Sequence, residues 1–124
     1  MRVCKEFHID SSHHLPGMGK CSNVHGHTWT ITIGVDGIFN PVTGMLFDFR
    51  KLAEIVKPIL EKYDHKDLNI YIEFPSAENL VNLLGKVIIQ DLPYTSALES
   101  VYVKVQEGSG GWAEDYFPLR GPNG

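Results

Sequence analysis

The sequence predicts an α+β fold, an antiparallel four-stranded sheet with two helices on one face in the order ββααββ. Three observations carry this reading. Residues alternate apolar and polar in segments towards both ends of the chain, and two stretches of helical period lie between those segments. Neither an internal repeat nor a linker divides the chain, so residues 1–124 are read as a single domain.

The first strand is expected over residues 2–10, with Val3, Phe7 and Ile9 on one face and Cys4, Glu6, His8 and Asp10 on the other; Lys5 interrupts the apolar face. A second, cleaner strand spans about 27–38, where Trp29, Ile31, Ile33 and Val35 alternate with Thr28, Thr30, Thr32 and Gly34. Asn40-Pro41-Val42-Thr43-Gly44 is turn chemistry and predicts a return into a short strand through Met45-Leu46-Phe47. Asp48 then caps a helix. Phe47 and Leu52 form a hydrophobic staple across its start, and Leu52, Ile55, Val56, Ile59, Leu60 and Tyr63 trace its buried stripe. Pro58 lacks a backbone donor and is expected to kink this helix. After a loop over 64–75, Ser76 caps a second helix whose stripe is Leu80, Leu83, Leu84, Val87 and Ile88, and Pro93 closes it. Strands at about 99–107 and 111–117 flank Gly108-Ser109-Gly110-Gly111, and the tail, about 118–124, is expected to be flexible. Such a sheet leaves two edges unpaired, which favours edge-to-edge oligomerisation.

Composition narrows the function. A hydrophobic content of 43% with 21% charged residues belongs to a folded protein rather than a disordered binder. No apolar run approaches the ~20 residues of a membrane span, and the first residues lack the apolar core of a signal peptide, so no membrane partner and a cytoplasmic location are expected. In that compartment Cys4 and Cys21 are read as free thiols. A net charge of −4 argues against a nucleic-acid footprint and favours a small-molecule partner.

Five of the six histidines lie between residues 8 and 27. In an extended chain the i, i+2 pair His25 and His27 projects to one side, with Gly26 leaving room between them. One histidine from the loop at 13–14 would complete a three-nitrogen zinc site with an open fourth position. A polar strand entrance holding no metal fits the same residues. Cys21, four residues before His25, either closes the metal shell or stands beside an open metal as a reactive thiol, and spacing leaves both open. Lys20 favours the thiolate if it is near, or is a solvated surface lysine. Cys4 reads as a packed or edge thiol, and His8 and His14 as structural or surface groups. Asp64 next to His65 can orient and charge the imidazole if the backbone lets them meet. Glu107 continues the inward parity of Val101, Val103 and Val105, so either the strand has reached solvent there or the carboxylate meets a donor-rich ligand.

Together these residues resemble the 6-pyruvoyl-tetrahydropterin synthase family, including its 6-carboxy-tetrahydropterin synthase branch. The likeness runs from about residue 3 to 117. It is carried by Phe7 through Ser11-Ser12-His13-His14-Leu15-Pro16, Lys20-Cys21-Ser22-Asn23-Val24-His25-Gly26-His27, Gly44 through Asp48-Phe49, Asp64-His65, Leu68-Asn69, Pro75-Ser76-Ala77-Glu78 and Val103 through Glu107. The resemblance implies zinc on His13, His25 and His27, Cys21 as catalytic thiol, Asp64 and His65 as its acid/base partners, Glu107 as the anchor of the pterin edge, and Ser76 and Ala77 beside it. It further implies the tunnelling fold, with sheets joined into an oligomeric barrel, a homohexamer built as a dimer of trimers. The implied substrate is a pterin triphosphate, 7,8-dihydroneopterin triphosphate, which loses triphosphate and, in the carboxy branch, acetaldehyde. The spacing Cys-x-x-x-His-Gly-His resembles that branch; the pyruvoyl synthase and a non-catalytic zinc-stabilised module are the alternatives. Lys20, Arg50 and Lys66 are the cations nominated for the triphosphate. Ala77, where relatives carry a hydroxyl, and His14, where they carry arginine, depart from the pattern.

Overall fold

The computed structural model describes residues 1–93 and 95–119. Four strands, β1 (Arg2–His13), β2 (His25–Gly37), β3 (Leu98–Glu107) and β4 (Trp112–Pro118), form one antiparallel sheet in sequential order. Two helices, α1 (Phe49–Glu61) and α2 (Ala77–Asp91), are inserted between β2 and β3. The predicted ββααββ plan therefore holds. The expected tail lies partly outside the described residues: Pro118 still belongs to β4 and Leu119 N–H donates to the Glu99 carbonyl, and residues 120–124 are not described.

Both helices cover the apolar face of the sheet. Trp29, Ile31, Ile33 and Val35 of β2 and Val101, Val103 and Val105 of β3 are inaccessible to solvent, packed with Leu52 and Val56 of α1 and Leu84 and Ile88 of α2. Burial of this kind contributes about 1.5–3 kcal/mol for each large side chain. Helix starts follow the expected chemistry. Asp48 Oδ1 accepts the Arg50 N–H at 2.8 Å, and Ser76 Oγ accepts the Asn79 N–H at 3.1 Å. Gly85 sets how closely α2 approaches the sheet, since a Cβ there would overlap the Phe117 ring of β4.

Two local expectations change. β1 runs to His13 rather than stopping near residue 10, because its pairing with β2 continues through Asp10↔Thr28, Ser11↔His27 and Ser12↔Gly26 to His13↔His25. The return strand at 45–47 is absent: Asn40 and Met45 form an isolated bridge, with Gly44 at φ +73°, and the segment serves as a tight turn into α1. Pro58 lies inside a continuous α1 on its exposed side, where water can serve the carbonyl whose donor is missing.

The face away from the helices carries its own polar network. Arg2 Nε donates to Asp36 Oδ1 at 2.6 Å and Ser100 Oγ donates to Asp36 Oδ2 at 2.7 Å. Burial opposes ionisation of Asp36, yet these donors hold its carboxyl below the usual range. Burial and a hydrogen bond to Glu114 push the Tyr102 hydroxyl up to about 12. Cys4 is half-buried against Gly34, whose missing Cβ would stand 2.6 Å from the thiol sulfur, and burial raises that thiol.

Candidate metal and substrate site

Strand register assembles a cluster at one end of the helix-covered face. His13 at the end of β1 pairs with His25 at the start of β2, and His27 follows two residues later on the same side. Across β2, Trp29 pairs with Glu107 at the end of β3. One ligand atom from each of His13, His25, His27 and Glu107 lies within 4.8 Å of all the others. Trp29 forms the floor. Its buried indole meets the His13 ring edge-on at 4.9 Å between centroids and the His27 ring at 5.5 Å, while its Nε1–H donates to the Ser11 carbonyl at 3.2 Å.

The hydrogen bonds fix which nitrogens face the centre. A carbonyl only accepts, so His13 Nδ1, 2.8 Å from the Pro75 carbonyl, carries the proton and leaves Nε2 as the free donor atom of the ring. The same logic applies to His25 Nδ1, 2.7 Å from the Asn23 carbonyl. Carbonyl partners of this type orient metal-binding imidazoles. His13 Nε2 and His27 Nε2 are buried without hydrogen-bond partners, although Glu107 Oε1 is 2.7 Å from His27 Nε2 and 3.6 Å from His13 Nε2. Closeness without hydrogen-bond alignment means that these atoms converge on a shared point rather than on each other. Orphaned buried acceptors are rare, and a cation at that point would satisfy them, so the donor set fits a metal ion. Burial lowers the His27 pKa, Glu107 raises it and the neighbouring His13 and His25 lower it; the net effect is below the usual histidine range and keeps the lone pair available.

Asp64 and His65 dock on the backbone of β1 at Asp10, along the edge that does not pair with β2. His65 N–H donates to the Asp10 carbonyl at 2.6 Å, and Asp64 Oδ1 accepts the Asp10 N–H at 2.8 Å. The expected meeting of the pair occurs: His65 Nδ1 lies 3.0 Å from Asp64 Oδ1. The Asp10 N–H, and then His65, hold the Asp64 carboxyl below its ordinary range. His65 stands at φ +56°, a left-handed conformation that few L-residues adopt.

Two hollows flank the cluster. One, about 600 Å³, is bordered by His27, Thr28, Ser12, His65 and Lys66. The other, about 540 Å³, is bordered by Glu107, Ala77, Glu78 and Trp112. His27 and Glu107, which touch, thus belong to different hollows. Of the nominated cations Lys66 borders the first, whereas Arg50 stands beside Asp48 at the start of α1 and Lys20 lies in the loop between β1 and β2. Ser76 spends its hydroxyl on the α2 cap, and its neighbour Ala77 borders the second hollow.

Cys21 occupies a 3-10 turn, Gly19–Ser22, inside the loop that leaves β1 at His13 and enters β2 at His25. Its carbonyl accepts the Leu15 N–H at 2.6 Å, folding the loop on itself, and its sulfur is outside the four-residue ligand cluster. The position of His13 differs from the expected loop site, and a signal for it was present: the inward parity of Val3, Phe7 and Ile9 continues through Ser11 to His13. Trp112, Glu78 and the Pro75 and Asn23 carbonyls carried no such signal, since none has a spacing that separates it from ordinary surface or backbone.

Residues 2–116 match the family model described as 6-pyruvoyl tetrahydropterin synthase. The chain is 33% identical over 106 residues to an Archaeoglobus fulgidus protein bearing the provisional name 6-carboxy-5,6,7,8-tetrahydropterin synthase, covering 86% of this chain and 87% of that one. It is 27% identical over 92 residues to the dihydroneopterin monophosphate aldolase of Pyrococcus furiosus, covering 74% and 78%. In fold it is similar to the 6-pyruvoyl tetrahydropterin synthase of Plasmodium falciparum, with a TM-score of 0.82 at 18% identity over 95% of this chain and 98% of that one.

Proposed function

Because the chain belongs to the 6-pyruvoyl tetrahydropterin synthase family and is an enzyme of the pterin-synthase type, we propose that it is a zinc-dependent lyase converting 7,8-dihydroneopterin triphosphate and water to 6-carboxy-5,6,7,8-tetrahydropterin, acetaldehyde and triphosphate, a step of 7-deazaguanine (queuosine or archaeosine) biosynthesis. The single observation that carries the reading is a donor cluster fitted to a metal and lying between two hollows, so that one extended substrate can reach all three places.

His13, His25 and His27 hold the zinc in this reading. Zinc, when bound, supplies Lewis acidity towards oxygens of the substrate side chain. Glu107 accepts hydrogen bonds from the amino-pyrimidine edge of a pterin in the hollow lined by Ala77 and Trp112, with Ser76 and Ala77 at the α2 N-terminus beside it. The side chain then extends past the cluster towards His65 and Lys66, which places a cation where the triphosphate emerges. Asp64, kept anionic, holds the Nδ1 side of His65 and leaves Nε2 to carry a proton. Cys21 is the second proton-transfer group in this reading, carried on the loop that joins His13 to His25. The edge of β4, and the edge of β1 ahead of Asp10, where residues 64–67 do not cover it, suit a cytoplasmic homohexamer in which sheets continue from one subunit into the next.

The test is turnover of 7,8-dihydroneopterin triphosphate by zinc-loaded protein, with acetaldehyde and the pterin product assayed together. Acetaldehyde with the carboxy product supports the proposal. Triphosphate release with a pyruvoyl product and no acetaldehyde assigns the sister synthase activity, and cleavage of dihydroneopterin monophosphate instead assigns an aldolase like the Pyrococcus relative. No turnover of either by a folded, zinc-bound protein overturns the enzymatic reading in favour of a zinc-stabilised module.

A further inference from the structure

We infer that Glu107 is a fourth protein ligand of the metal in the substrate-free protein and exchanges from the metal to the incoming ligand, so that the resting site is closed and substrate opens it. This rests on the zinc-holding part of the reading above. His13 and His25 each turn a protonated Nδ1 to a backbone carbonyl, so their Nε2 atoms point lone pairs at the centre of the cluster. A carboxylate oxygen 3.6 Å from His13 Nε2 and 2.7 Å from His27 Nε2, aligned for a hydrogen bond with neither, presents further electron density to the same point. With lone pairs on the His13 and His25 Nε2 atoms and a carboxylate beside them, the arrangement is relieved by a proton on His27 or by a cation among the four atoms, and three imidazoles with a carboxylate are a donor set that zinc takes. Bond lengths of about 2.0–2.1 Å to zinc at tetrahedral angles place ligand atoms about 3.3 Å apart; the 3.6 Å separation of Glu107 from His13 is near that spacing, and the 2.7 Å separation from His27 is shorter than it.

The same carboxylate faces the hollow lined by Ala77 and Trp112 and is about one-third exposed there, with a relative side-chain accessibility of 31%. It cannot serve the metal and a donor-rich ligand in that hollow equally. Exchange between them couples the two sites: a ligand that draws Glu107 away weakens its hold on the metal, and the metal weakens that ligand by the same factor. Departure of the carboxylate also vacates a coordination position only when something is bound in the hollow.

The experiment uses the full chain as Glu107→Gln and Glu107→Asp, with zinc affinity measured by competition against a chromogenic chelator and with the visible absorption of the Co(II)-substituted protein. Loss of an outer partner of a metal ligand already weakens binding about 10–100-fold, so loss of a direct ligand is expected to weaken zinc at least about tenfold in Glu107→Gln, with partial recovery in Glu107→Asp. Neopterin added to the Co(II) protein is expected to change the wild-type spectrum towards that of Glu107→Gln and to leave the variant's spectrum unchanged. Zinc affinity in Glu107→Gln within twofold of wild type, with an unaltered Co(II) spectrum, overturns the fourth-ligand assignment and leaves the three-histidine reading standing. Failure of the wild-type protein to bind zinc overturns both. Urea denaturation of each metal-free variant separates ligand loss from misfolding.

Discussion

Replacing Trp29 by phenylalanine probes the coupling between the core and the proposed metal-binding end of the sheet. The indole is inaccessible to solvent, donates to the Ser11 carbonyl at 3.2 Å and supports the His13 and His27 rings edge-on. Loss of the hydrogen bond destabilises by roughly 1 kcal/mol. The smaller ring removes about 40 Å³, and a cavity of that size adds about 1 kcal/mol at roughly 24 cal/mol per Å³. The metal-free variant should therefore unfold about 2 kcal/mol more easily, a lowering of the urea midpoint by about 1 M for a slope near 2 kcal/mol per M. Zinc affinity should fall about tenfold, because the rings of two proposed ligands, His13 and His27, lose the surface that orients them. Trp112→Phe is the control: its side chain is 57% exposed, so stability should stay within about 0.5 kcal/mol. A Trp29→Phe protein with unchanged midpoint and unchanged zinc affinity would refute the claim that this indole is the rigid floor of the site.

Cys21→Ala should retain zinc, fold and assembly while losing turnover; loss of zinc affinity instead would place the sulfur in the metal shell, against its position outside the ligand cluster. His65→Gly should abolish turnover yet keep or raise the thermal midpoint, since glycine relieves a left-handed residue at φ +56° that costs about 1–2 kcal/mol, partly offset by glycine's greater unfolded-state freedom. The pH dependence of the metal-free protein follows from His27. Its folded pKa lies below the unfolded value of about 6.5, so between the two the unfolded chain binds more protons and stability falls as pH drops. Urea midpoints in chelator at pH 7.5 and 5.5 measure this, and His27→Gln should flatten the difference.

Much of the architecture was legible because the alternation of β2 and β3 and the stripes of α1 and α2 are strong local signals that tertiary packing reinforces. The Asp48 and Ser76 caps were equally plain, since an acceptor side chain just ahead of a periodic run has one common use. The extension of β1 was harder to read. Ser11 and Ser12 carry little strand propensity of their own, and the Ser11 hydroxyl is drawn inward by the Tyr63 carbonyl, a partner 52 residues away. The return strand failed for the opposite reason: Met45-Leu46-Phe47 has an apolar strand composition but no neighbour left to pair with, so only one bridge forms. At the site, histidine spacing pointed to the metal cluster, whereas the contact of Glu107 with His27 depends on the β2–β3 register, which no local pattern encodes.

The pairing of His13 with His25 has a consequence for how the hairpin forms. Sliding β1 by one residue against β2 would turn His13 to the outer face, and with it Phe7 and Ile9. Only one alignment of the two strands gathers three imidazoles, so an ion that requires all three stabilises that alignment and no neighbouring one. The metal would then act as a proofreader of strand register, rejecting misaligned hairpins before the helices have packed over them.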